Sequence, residues 1–114
     1  MPIIETSENE VKELYQTHYY KASYNQIKEL YKEYITSIGF KILSENDDYS
    51  EIFAEKGAFT VTAKIIMQNP KETSIDFCID AVGFFANSSA KKFVLNVYKA
   101  IEAKYEFKGV GLHK

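Results

Sequence analysis

The sequence predicts an α+β two-layer sandwich: a four-stranded antiparallel meander with two main helices packed on one face, and a short N-terminal helix. Three observations predict it. Residues 23–38 and 89–105 repeat apolar side chains at three- and four-residue steps, the period of a helix with one buried stripe. Residues 59–67 and 75–81 alternate apolar and polar side chains, the period of a strand with one buried face. Turn formers at Asn46-Asp47-Asp48, Lys56-Gly57 and Asn69-Pro70-Lys71 divide the stretch between the helices.

Taken in order, Ser7 and Glu10 have the spacing of a capping box, and Val11, Leu14, Tyr15 and His18 follow at helical intervals, so a short helix is expected over about residues 8–19. An extended run through Tyr19 and Tyr20 is the competing reading. Ser23 and Gln26 make a second box. Ile27, Leu30, Tyr31, Tyr34, Ile35 and Ile38 form the stripe of the helix it opens, and Gly39 stands where a left-handed C-cap ends it. Phe40–Glu45 and Tyr49–Glu55 read as the first two strands. Phe59, Val61, Ala63, Ile65 and Met67 form the buried face of the third, and Ile75, Phe77, Ile79 and Ala81 that of the fourth. Ser74, Asp76, Cys78 and Asp80 point to the opposite face, which is left polar and open. Asn87, Ser88 and Ser89 are candidate caps for a last helix whose stripe is Ala90, Phe93, Val94, Val97, Tyr98 and Ile101. Residues 107–114 have no usable period and are expected to be an irregular tail.

The 114 residues fit one domain, 1–114, and an apolar share of 46% against 26% charged is globular rather than disordered composition. Charge is uneven: residues 45–80 carry eight acids and three bases, residues 87–114 six lysines and two acids. The chain has no arginine, the side chain best suited to gripping phosphate. Its one cysteine, Cys78, excludes an intrachain disulfide and a multi-thiolate metal cage, which makes the cytoplasm the expected compartment. No signal peptide is read at the N-terminus, and no apolar run is long enough for a membrane helix.

No catalytic, cofactor-binding or metal-ligating motif is read. His18 and His113 lie near opposite ends of the chain without partners at ligand spacing. Asn46, Asp47 and Asp48 read as a turn rather than a calcium loop. Asp76 and Asp80, four strand residues apart, stand about 13 Å from one another, too far to act as paired glycosidase carboxylates. Lys64, Asp76, Cys78 and Asp80 remain a candidate polar site on the sheet face. Neighbouring carboxylates would make Cys78 a poor nucleophile, and His18 is the one histidine that could activate it.

Over residues 24–105 the order helix, antiparallel strands, helix resembles the double-stranded-RNA-binding domain. Ser89-Ala90-Lys91-Lys92 with Lys99 is loosely similar to the start of that family's last helix, whose lysines contact phosphates. The resemblance implies anion contacts at Lys91, Lys92 and Lys99. The chain departs from the family in an additional strand, in lacking its histidine-bearing hairpin turn, and in placing Phe84-Phe85-Ala86-Asn87 where a glycine-rich approach belongs. No family is assigned.

Nine tyrosines and eight phenylalanines exceed what one small core needs, and tyrosine suits surfaces of mixed character. The first expectation is therefore a non-enzymatic binding or assembly domain. It would form a homo-oligomer or bind a protein partner through Tyr19, Tyr20, Tyr24, Tyr49, Phe84 and Phe85. Second comes a small-molecule-binding protein or enzyme with a cavity between sheet and helices. Third comes a weak nucleic-acid binder using the lysines of the last helix. No cofactor and no membrane contact are expected.

Overall fold

The computed structural model describes residues 3–7, 15–81 and 86–111. Its elements are β1 (Ile3–Glu5), β2 (His18–Lys21), α1 (Tyr24–Ser37), β3 (Lys41–Asn46), β4 (Glu51–Lys56), β5 (Phe59–Asn69), β6 (Glu72–Asp80), α2 (Ala86–Glu102) and β7 (Glu106–Val110). Both helices pack on one face of an antiparallel sheet, the expected class. Among the described residues the sheet has seven strands rather than four. Six lie side by side in the order β3-β4-β5-β6-β2-β7, and β1 pairs with β6 in line with β2.

α1 begins as its sequence dictates. Ser23 Oγ accepts from Gln26 N at 3.2 Å, and Gln26 Oε1 accepts from Ser23 N at 2.9 Å. It ends in a Schellman turn: Phe40 N donates to Ile35 O and Gly39 N to Thr36 O, with Gly39 at φ 101°. Ile27, Tyr31 and Ile35, one helical turn apart, are buried against the sheet. α2 supplies Ala90, Val94, Val97 and Ile101, all fully buried. The sheet answers with Val61, Ala63, Ile65, Ile75, Phe77 and Ile79, each at most 2% exposed. Each large aliphatic side chain so buried contributes roughly 1.5–3 kcal/mol, which makes this layer the main source of stability.

Four expectations are corrected. Met67, expected on the buried face of its strand, is 56% exposed, because β5 runs on past the helix layer and its last four residues are all exposed. Residues 8–14 of the expected N-terminal helix lie outside the described residues, but its last positions, His18 and Tyr19, belong to β2. His18, Tyr19 and Tyr20 are all buried, so this strand carries no alternation of apolar and polar positions to be read. The expected tail is β7 over most of its described length, because the chain turns at Ala103–Lys104 and returns antiparallel to β2. The last helix starts at Ala86 and stops at Glu102, which puts Ser88 and Ser89 inside it rather than at its cap.

β1 and β2 form one strand line interrupted by an excursion. Glu5 pairs with Cys78, Thr6 N donates to Phe77 O, and the line resumes with His18 opposite Ile75. The two ends are pinned where they part: Ser7 N donates to Tyr15 O at 2.9 Å and Thr17 N to Ser7 O at 3.2 Å.

Candidate functional site

Strand alternation brings the polar positions of three central strands together on the face away from the helices. Glu51, Lys64 and Asp76 are consecutive cross-strand neighbours on β4, β5 and β6, and Phe53, Thr62 and Cys78 form the next row. Glu5 of β1 adjoins Cys78. Glu5, Glu51, Thr62, Lys64, Asp76 and Cys78 line a shallow depression of about 190 Å³. Phe53 and Ile66 border it as exposed apolar side chains, at 36% and 37%. Lys64 is exposed and forms no ion pair with described residues within 4 Å.

Asp76 is the closing point of the β1–β2 excursion. Its Oδ1 accepts from Thr6 Oγ1 at 2.7 Å, and Thr17 Oγ1 lies 2.8 Å from both carboxylate oxygens. Thr6 Oγ1 in turn accepts from Phe77 N at 2.8 Å. These bonds assign Asp76 a structural task. Asp80 keeps one buried carboxylate oxygen, Oδ1, without a hydrogen-bond partner among the described residues.

The Cys78 thiol donates to Glu5 Oε1 at 3.6 Å. Partial burial, followed by the charges of Glu5 and Asp80, raises its pKa and keeps it a thiol at neutral pH. His18 cannot relieve this, because it pairs with Ile75 and lies on the helix side of the sheet. There its ring stacks on Tyr98 with centroids 3.5 Å apart, and Nδ1–H donates to Gln16 O at 2.8 Å. Burial holds its pKa down to about 4, so the ring is neutral. A cysteine–histidine nucleophile is therefore not assembled by these two residues. No group of three or more His, Cys, Asp or Glu side chains suited to a metal ion occurs among the described residues.

The aromatic residues expected at an interface are divided. Tyr19 and Tyr20 are interior, at 1% and 0% exposure, and the Tyr20 hydroxyl donates to Glu102 Oε2 at 2.9 Å. Tyr24 is half-buried, with the Lys28 ammonium 5.6 Å from its ring centroid. Tyr49 is 66% exposed in the β3–β4 turn. Phe84, Phe85 and His113 lie outside the described residues. The aromatic surplus is thus mostly core rather than surface. Lys91, Lys92 and Lys99 are exposed on α2. Asp47 does not join the sheet-face group, since it accepts from Lys28 Nζ at 2.9 Å on the α1 side.

Sequence reasoning placed Lys64, Asp76, Cys78 and Asp80 on the open face but could not place Glu5, because β1 was not recognised. Phe53 could have been found from its strand parity alone, since it sits at an outward position between the buried Ile52 and Ala54; Ile66 belongs to an apolar run, Ile65-Ile66-Met67, in which Ile65 alone is buried.

No helix of the described residues is long and apolar enough to cross a membrane. Comparison of the chain with protein-family models, curated proteins and solved structures finds no match in any of the three.

Proposed function

We propose that this chain is a non-catalytic assembly domain that pairs with a second copy of itself through the open face of the sheet. One observation carries the reading: the same face offers an exposed lysine, carboxylates that a second copy's lysine can meet, and two exposed apolar side chains. Lys64 stands exposed between the carboxylates of Glu51 and Asp76, with Glu5 across the depression, while Phe53 and Ile66 offer apolar contact on the same surface. A two-fold axis through the depression sets Lys64 of one copy against Glu51 and Glu5 of the other and buries both apolar pairs. Two-fold dimers are the commonest soluble assemblies, and sheets stack face to face about 10 Å apart. The exposed edges argue against pairing edge to edge, because β3 and β7 each carry a bulge that breaks a straight ladder.

Sedimentation velocity over low to high micromolar concentrations tests the proposal. The wild type is expected to shift from monomer to dimer. Lys64→Glu, which sets like charges against one another across the axis, and Phe53→Asp should each weaken dimerisation at least about tenfold. Both positions are exposed, so each variant should remain folded. A wild type that stays monomeric across the range overturns the proposal, as does a dimer that neither substitution weakens.

A further inference from the structure

A groove of about 260 Å³ lies between the end of α1 and the first half of α2, on the helix layer and independent of the open sheet face. Its floor is aromatic. Phe40 lies 5.6 Å from Phe59 and 5.2 Å from Phe93, and Phe59 lies 5.4 Å from Phe93, ring centroid to centroid. Its lip is cationic. Lys56 from the end of β4 and Lys92 from α2 both line it, and no carboxylate does among the described residues.

The position of Lys56 is fixed. Its Nζ donates to Ile38 O at 2.6 Å, across the carbonyl end of α1, and its stem passes beside Gly39. An ammonium has three donors, so this bond leaves two. Neither Lys56 nor Lys92 forms an ion pair within 4 Å among the described residues. Two cations without a carboxylate partner, set above three phenyl rings, complement a ligand with an apolar body and one negative end. Lysine attracts that end as a point charge and does not impose the planar fork that arginine would.

We propose that this groove binds a small amphipathic carboxylate, with its hydrocarbon body on Phe40, Phe59 and Phe93 and its carboxylate between Lys56 and Lys92. Apolar area supplies most of the affinity, and the lysines supply selection for charge.

The test is an NMR titration of the full chain with octanoate, using octanol as the uncharged analogue and inorganic phosphate as the charge without the chain. Octanoate is expected to shift the ring signals of Phe40, Phe59 and Phe93 saturably. Octanol should bind about tenfold more weakly, the loss of one charge-assisted contact. Phosphate should leave the ring signals unmoved. Lys92→Gln, at an exposed position, should weaken octanoate about tenfold, and Ser89→Phe should fill the groove mouth and abolish saturation. The proposal is overturned if millimolar octanoate leaves the three rings unshifted. It is equally overturned if octanol binds as well as octanoate, if phosphate shifts the rings as octanoate does, or if binding survives both substitutions in folded protein.

Discussion

Asp76 shows how one carboxylate fixes a local chain path. It sits on the open face among groups that suggest chemistry, yet its oxygens hold Thr6 and Thr17, the residues at which β1 and β2 part. Hydrogen bonds to a charged acceptor contribute about 1.5–3 kcal/mol each and are not additive, so Asp76→Ala should lower stability by about 3 kcal/mol in urea unfolding. It should also speed amide exchange at Thr6 and across β2. His18 sets a second expectation. Its pKa is about 4 in the fold, against 6.5 unperturbed, because its ring is buried between Tyr98 and Phe107 with Tyr20 beside it. Between these values the unfolded chain binds more protons than the folded one, so stability is complete above about pH 6.5 and falls as pH drops toward 4. The accumulated loss is about 3 kcal/mol at the low end. Subtracting the urea stability of His18→Phe from that of wild type at each pH isolates this slope from the carboxylates; a flat difference would contradict the buried, neutral ring.

At the scale of elements, legibility followed the strength of the local signal. α1 was read from Ser23 to Gly39 because a capping box, an unbroken stripe and a C-terminal glycine all agree. The β3–β6 meander was legible because its turns carry strong punctuation and β5 and β6 alternate. β1 and β7 were not, and β2 was legible only as the competing extended reading of Tyr19 and Tyr20, since three to five residues give too few repeats to show a period, and β2 is buried on both faces. Gly39 tests the best-read element. At φ 101° a side chain is strained, and a Cβ there would lie 3.2 Å from Lys56 Cε. Gly39→Ala should therefore cost about 1–2 kcal/mol in thermal or urea unfolding, whereas a neutral result would contradict the left-handed cap.

At the scale of the whole molecule, the two-layer plan leaves two surfaces of different character. The sheet face gathers Glu5, Glu51 and Asp76 around Lys64, with Asp80 farther along β6 opposite Thr60, while α2 carries Lys91, Lys92 and Lys99 outward. The sidedness of the sheet centre was legible, because outward polar and inward apolar residues alternate along residues 61–65 of β5 and 75–80 of β6, whereas Ser74, expected on the open face, is buried at 2% exposure. The site itself was only half legible, since Glu5 reaches it through a pairing separated from Cys78 by most of the chain. The aromatic surface was misjudged for a related reason. A count of rings does not say which are core, and contacts between α2 and the β2–β7 edge bury Tyr20, which composition alone would leave free for an interface.

The central claim, pairing through the open sheet face, is tested most directly by a dilution series of amide spectra. Concentration-dependent shifts should cluster at Phe53, Thr62, Lys64, Ile66 and Cys78 and disappear in Lys64→Glu. Spectra that do not change on dilution, or shifts confined to the helix layer, would contradict it.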